Sequence, residues 1–273
     1  MHATQRNGCT AAERNALREH VLAVWRDIKA EAHVYRCVQA LAFLTPRAPR
    51  HPAYAPLLER GRAAAAAGEH FAVADVGCCF GQDTRALIAD GLPPSCCVAA
   101  DLHDTYWRAG LRLFGDVDCP SRLAGVRCAF GNWAAPADAT SDPAAGLARS
   151  LDGCICMFVL HVLSREQCMN LLARLARCAK PGAVLLGAAV GAREAGEWAR
   201  TPDCSAPRWL HSEATLADAL RASGWDGTVD VRAAAPGEWD EGGSTPMLGS
   251  HASAGGALEH VLRLQFTATK AAL

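Results

Sequence analysis

The chain has 273 residues, 51% of them hydrophobic and 20% charged, and a formal net charge of −1. This is the composition of a globular protein with one α/β domain and additions, or two small domains, and not of a disordered or fibrous chain. A charge so near zero leaves no electrostatic footprint for a nucleic-acid backbone or an anionic membrane, so a small or weakly charged partner is expected.

A first helix is signalled at Thr10-Ala11-Ala12-Glu13, a capping box, followed by Leu17, Val21, Val24 and Ile28 at helical spacing. A second helical stretch runs from Tyr35 to Leu44 and stops near Thr45-Pro46. The proline-bearing run Pro46–Pro56 is predicted to wrap over the surface, and Ala63–Ala67 to form a helix or a low-complexity joint. No apolar stretch reaches the ~20 residues that cross a bilayer. The N-terminus lacks a signal-peptide core, and the cytosol follows by default. The 13 cysteines fit reduced thiols in a reducing compartment, because CxxC pairs and zinc-finger spacing are missing.

From Phe71 onward short apolar runs alternate with helical segments. Phe71–Val76, Cys97–Ala100, Val126–Phe130, Cys154–Val159, Ala183–Ala189, Thr228–Arg232 and Val261–Thr267 read as strands. Helices are expected at Asp83–Ala89, at Arg165–Cys178 behind a Ser164/Gln167 capping box, and after Ser212. Ala134–Ala148 and the Gly- and Ser-rich Pro236–Gly256 read as loose connections. The fold class is therefore α/β, a mostly parallel sheet with helices on both faces.

Such a sheet binds ligands beyond the C-terminal ends of its strands, usually at the first strand–helix turn. Here the first strand runs into Asp75-Val76-Gly77-Cys78-Cys79-Phe80-Gly81-Gln82-Asp83. Gly77 would allow a sharp turn, and Gly81 would let a ligand approach the backbone with no Cβ in the way. Asp75 is suited either to accept hydrogen bonds from a cationic amino group or to order the loop. Asp101, at the end of the second strand, stands where an acid takes both hydroxyls of a ribose. Cys79 occupies the place of the second glycine in the dinucleotide fingerprint, which disfavours a nicotinamide dehydrogenase. After the third strand, Asn132 could bond the adenine edge, and Trp133 or Phe130 could lie on its face; Trp133 could equally plug the end of the sheet. Gln82 and Asp83 could order the turn or touch the ligand indirectly, Asp83 also being a good helix-start residue by charge.

The turn Asp75–Gly81, Asp101 and the Lys180-Pro181-Gly182 turn before a strand resemble class I S-adenosylmethionine (SAM)-dependent methyltransferases. The form Asp75-Val-Gly-Cys-Cys-Phe-Gly-Gln-Asp83 is similar to fungal O-methyltransferases of meroterpenoids and related secondary metabolites, which often methylate a carboxylate. Tyr35-Arg36-Cys37-Val38 with Phe43-Leu44, Phe158-Val159-Leu160-His161 and Trp209-Leu210-His211-Ser212 fit that group too. Asn132 departs from the wider class, in which an acid is more usual. The resemblance implies a Rossmann-like SAM-binding domain over residues 67–273 and an N-terminal helical cap over 1–66 that contributes to the acceptor pocket. SAM would be the cofactor, with Cys78, Leu102 and Phe158 joining Asp75, Gly77, Gly81, Gln82, Asp101, Asn132 and Trp133 around it, and no metal.

The partner implied is a small-molecule methyl acceptor, with no nucleic acid and no membrane. The apolar faces of the N-terminal helices allow a homodimer or packing on the sheet. A carboxylate acceptor needs no general base, whereas a hydroxyl usually does, and histidine is the candidate. His161 follows the fourth strand, where a side chain faces the transferred methyl; His211 sits on the approach to a helix that would close the pocket. For each the alternative is a histidine bonded to nearby backbone. Tyr35 and Trp107 are aromatics of the acceptor side or of the core. Transfer to sulfur or nitrogen, and a non-catalytic SAM-binding protein, are the rival readings.

Overall fold

The computed structural model describes residues 10–31, 35–137, 141–198, 207–235, 238–239 and 260–272. In chain order these residues form α1 (Ala11–Glu31), α2 (Arg36–Gln39), α3 (Tyr54–Ala66), β1 (Val73–Val76), α4 (Gln82–Ala89), β2 (Cys97–Asp101), α5 (Thr105–Leu113) and β3 (Arg127–Phe130). They continue as β4 (Leu151–Met157), α6 (Arg165–Cys178), β5 (Ala179–Ala192), β6 (Gly196–Trp198), β7 (Arg208–Leu210), α7 (Glu213–Ala222), β8 (Val229–Ala233) and β9 (Val261–Thr269).

Seven strands make one sheet in the order β3-β2-β1-β4-β5-β9-β8. All pairings are parallel except those of β9, which runs antiparallel to both β5 and β8. The order reverses between β1 and β4, and the crevice above that point is where an open α/β sheet takes its ligand. Alternate strand residues feed two cores. Ala74, Val98, Cys154, Leu185 and Phe266 pack with Leu171, Leu175, Leu216 and Leu220 of α6 and α7. Val73, Cys97, Ile155 and Leu186 pack with Leu57 of α3 and Leu87 of α4 on the opposite face.

Each of the seven expected strands is present, with ends shifted by a few residues. Lys180-Pro181-Gly182 lies within β5 as a bulge: Leu151 pairs with Ala179, yet Gly153 pairs with Val184, and Gly182 takes φ 76°. The expected capping boxes of α1 and α6 form, with Thr10 N donating to Glu13 at 2.7 Å and Ser164 N to Gln167 Oε1 at 3.0 Å. Helix α5 and the pair β6–β7 lie outside the sequence expectation, and α3 begins at Tyr54, well ahead of the expected Ala63–Ala67 stretch. The Tyr35–Leu44 helix is instead the single turn of α2 followed by a 3₁₀ turn at Ala42–Leu44, because Leu41 between them adopts φ 55°. Most of the Pro236–Gly256 stretch lies outside the described residues.

The run Pro46–Pro56 lies only partly at the surface: Pro49, Arg50, Pro52, Ala55 and Pro56 are exposed. Arg47, Ala48 and His51 are buried, held by contacts with Asp83 and with the carbonyl of Phe266. Phe43 stacks on Phe80 of the first turn, with centroids 4.0 Å apart, and Val24 and Ile28 of α1 join the same cluster with Tyr106 and Leu113 of α5. Helix α1 and the Phe43 turn therefore pack on the turn after β1 and on α5, whereas α3 packs on a face of the sheet through Leu57.

Candidate cofactor and acceptor site

The chain reverses sharply after β1. Gly77 adopts φ 73°, and a Cβ there would lie 2.3 Å from Val159. Its N–H and that of Cys78 both donate to the Ala100 carbonyl, at 2.8 and 3.0 Å. Cys79 is left-handed at φ 52°, an uncommon state for a residue with a side chain, and its N–H donates to Asp101 Oδ2 at 2.8 Å. Gly81, also left-handed, has a different role from the expected one. A Cβ at Gly81 would come within 2.5 Å of both Trp107 and the Arg85 guanidinium, so protein, not ligand, occupies that space. Cys78 is buried beneath the turn, and burial with the nearby Asp75 charge pushes its thiol up, which makes it a packing residue.

Three carboxylates organise the turn. Asp75 is buried and accepts from the backbone N–H and hydroxyl of Thr84, at 3.0 and 2.7 Å. It serves α4 as a remote cap, since Gly81 at the N-cap position has no side chain to do so. Of its two expected roles, ordering the loop is the one its contacts serve. Asp83 accepts from Arg47 N at 2.6 Å and Ala48 N at 2.7 Å, fastening the N-terminal segment to the turn. Asp101 accepts from Cys79 with one oxygen and from Leu102 N, at 2.7 Å, with the other. Burial raises the pKa of all three acids, and Asp83 adds its charge to the effect on Asp75.

The other expected site residues divide. Leu102 is 44% exposed beside Asp101. Asn132 is exposed, its Oδ1 accepting from Ala134 N at 3.0 Å. Trp133 is the correction: it is buried in the α6/α7 core, and its indole donates to Ala129 O at 2.9 Å, so it plugs the sheet instead of facing an adenine. Buried Arg174 donates to the carbonyls of Trp133 and Ala135 and fixes this loop from below. Gln82 opens α4 with its Oε1 buried and without a hydrogen-bond partner. Trp107 is core, packed with Cys78 and Ala99, and Tyr35 lies 6.0 Å from Tyr106 in the N-terminal cluster.

At the end of β4, Phe158 takes φ 60° while its N–H donates to Ala188 O at 2.6 Å. A left-handed phenylalanine costs on the order of 1–3 kcal/mol, and such strain clusters at functional sites. His161 stands edge-on to its ring, with centroids 6.2 Å apart. His211 lies near the end of β5, its carbonyl accepting from Ala192 N at 2.9 Å. Trp209 Nε1–H donates to His211 Nδ1 at 3.3 Å, which leaves the ring proton on Nε2. His211 is thus a poor proton acceptor, and burial lowers its pKa to about 4.

Sequence reasoning missed Arg47, His51 and Trp239. The Arg47 guanidinium lies 4.7 Å from the centre of the Phe158 ring, and Trp239 meets that ring edge-on at 5.9 Å. His51 Nδ1 accepts from Ala53 N at 3.1 Å and its Nε2 lies 3.1 Å from Phe266 O, so one neutral tautomer satisfies both nitrogens. Burial, together with the Arg232 charge, lowers its pKa to about 4. A lowered folded-state pKa means that His51 and His211 contribute fully above the unfolded value of about 6.5. That contribution is lost as pH falls through 6.5 toward 4. Each is expected to remove on the order of 1–3 kcal/mol over that interval. His51→Gln should therefore show a shallower fall in melting temperature between pH 7 and 4.5 than the unaltered protein. Parallel curves would contradict it. The raised Asp75 acts in the opposite direction in both proteins and cancels from the comparison.

The sheet order, the tight turn after β1 and the acid ending β2 define the class I SAM-dependent methyltransferase fold. Solved structures agree. The chain superposes with TM-score 0.51 on phosphoethanolamine N-methyltransferase 2 of Haemonchus contortus, at 12% identity over 74% of this chain and 49% of that one. The corresponding TM-score for the N-terminal domain of EvdMO1 is 0.50, at 14% identity over 78% and 81%. No family model matches. Within the class, the chain is similar in sequence to fungal enzymes. It is 28% identical over 180 residues to O-methyltransferase atr3 of Stereocaulon alpinum, covering 64% of this chain and 47% of that protein. It is 29% identical over 182 residues to the asnovolin E/chermesin D methyltransferase nvfJ of Aspergillus novofumigatus, covering 64% and 59%. The chain thus spans about half to three-fifths of the length of the curated relatives it matches. Among the described residues, no helix is long and apolar enough to cross a membrane.

Proposed function

We propose that the protein is a SAM-dependent methyltransferase acting on a carboxylate or hydroxyl oxygen of a small molecule. The observation that carries this reading is the 2.8 Å hydrogen bond from Cys79 N to Asp101, which joins the tight turn to the acid beside the point where strand order reverses. The named activities of the fungal relatives support the choice of oxygen.

The residues fit the cofactor. Asp101 keeps accepting capacity for the ribose beyond its backbone bonds from Cys79, Leu102 and His103. Leu102 covers one face of the adenine, and the Asn132 amide, its oxygen already engaged by Ala134, gives its NH₂ to the base edge. Gln82 Oε1, buried and unpartnered, accepts from the amino group of the methionine moiety. A site built around Asp75, Asp83 and Asp101 suits a cation, since a positive ligand offsets the burial that raises these acids.

The bound sulfonium supplies an activated methyl group for an in-line displacement. What the chain supplies is alignment and exclusion of water. Phe158 backs the reacting centre from the end of β4. His161 is the base we assign for a hydroxyl acceptor, whereas His211 offers only an N–H. Helix α1 and residues 35–51 act as the cap on the acceptor side, fastened through Asp83 and Phe80. The exposed first half of α1, Ala11–His20, is the surface on which a second copy would dock, in a cytosolic setting.

The test follows S-adenosylhomocysteine release with a panel of carboxylates, phenols, thiols and amines. Turnover is expected with oxygen acceptors. Release only with thiols or amines would move the assignment to sulfur or nitrogen, and none with any acceptor would indicate a binding protein.

A further inference from the structure

Trp239 is held far more firmly than its setting, a Gly- and Ser-rich stretch, would suggest. Arg232 grips the neighbouring Glu238 carboxylate with both terminal nitrogens, one at 2.9 Å. Arg50 donates to the Glu238 carbonyl at 2.7 Å and lies 5.5 Å from the centre of the Trp239 ring. The indole is 4% exposed, meets Phe158 edge-on, and packs in one cluster with Ile155, Met157 and Ala188. Its Nε1–H has no hydrogen-bond partner among the described residues.

Beneath it runs a cross-strand row. Gln265 of β9 is in register with Ala188 on β5 and with Arg232 on β8, so all three side chains belong to one face of the sheet. Ala188 packs in the cluster of Trp239, and Arg232 holds Glu238, which brackets Gln265 under the Glu238-Trp239 pair. Gln265 is 4% exposed, and its Oε1 is also unpartnered among the described residues. Buried polar groups are almost always paired, and a lone donor packed with Ala188 and a lone acceptor in register with Ala188, on the same face of the sheet, call for a group that serves both. A hydroxyl gives one hydrogen bond and accepts another. A carboxylate only accepts, and would set negative charge against Gln265 Oε1.

We propose that Trp239 Nε1–H and Gln265 Oε1 form a subsite that binds a hydroxyl group of the methyl acceptor, making Trp239 a specificity-determining residue. This rests on the methyl-transfer reading for the identity of the ligand. Arg47 on one face of Phe158 and Trp239 at its edge frame the approach to the subsite.

The experiment uses the full chain, ¹⁵N-labelled, with S-adenosylhomocysteine present and phenol as probe. The Trp239 indole resonance, identified by its loss in Trp239→Phe, should shift saturably with phenol and much less with anisole, which has no proton to give to Gln265. Saturation transfer to phenol should fall at least threefold in Trp239→Phe and in Gln265→Leu. A stationary Trp239 resonance, or an equal response to anisole, would overturn the subsite. If Trp239→Phe does not fold, Gln265→Leu decides: undiminished phenol binding there is contrary, and a threefold loss is supportive. S-adenosylhomocysteine binding is read on the same sample. A Trp239 response in a protein that ignores S-adenosylhomocysteine would overturn the methyl-transfer reading and leave the hydroxyl subsite standing.

Discussion

Asp83→Ala is expected to lower stability by about 2–4 kcal/mol, since it strands two buried backbone N–H groups that each cost ~1–3 kcal/mol when unpaired. Those groups are Arg47 N and Ala48 N, which have Asp83 as their shared anchor. Removing a carboxylate whose pKa is raised by burial offsets part of the loss, which is why the sum is not larger. For a chain of this size the melting temperature should fall by roughly 5–15 °C. Asp83→Asn keeps an acceptor oxygen without the charge and should recover much of the difference. An Asp83→Ala protein that melts with the parent would show that the N-terminal segment is fastened by Phe43 and Phe80 alone.

Asp101→Ala is expected to weaken S-adenosylhomocysteine binding by roughly 10–100-fold, the worth of one charge-assisted hydrogen bond at ~1.5–3 kcal/mol. Two effects combine. The ribose hydroxyls lose their acceptor, and Cys79, held at φ 52°, loses the carboxylate that fixes its N–H. Asp101→Asn separates them, because an amide oxygen can still receive Cys79 N–H while ribose loses the charge. Isothermal titration of both variants measures the split. Equal affinity in Asp101→Ala and the parent would remove the ribose from this position.

The sheet was legible because its strands are short apolar runs punctuated by turns, and the turn after β1 because its glycines sit at left-handed positions. Asp101 followed from its place at the end of β2. What stayed hidden depends on contacts between distant parts of the chain. Pro46–Pro56 reads as surface loop, and the burial of Arg47, Ala48 and His51 within it comes from Asp83 and the Phe266 carbonyl. Trp133 gives no local sign of which way it turns, and its burial follows from the α6/α7 core and the Ala129 carbonyl. Trp239 sits in a composition that reads as featureless, and distant residues such as Arg50, Arg232 and Phe158 give it a position. The helix α5 was missed although its Trp107 was noted. Gly110 lies within it, and a Cβ there would come 2.1 Å from the Phe80 carbonyl, so a residue that weakens the helical signal is what lets α5 pass against the turn.

The measurement that bears most directly on the turn from Asp75 to Asp83 is an isothermal titration of the unaltered protein with S-adenosylhomocysteine. One-site saturable binding in the micromolar range is the expected result. No heat of binding at millimolar ligand would contradict the assignment of this turn, and with it the methyltransferase reading.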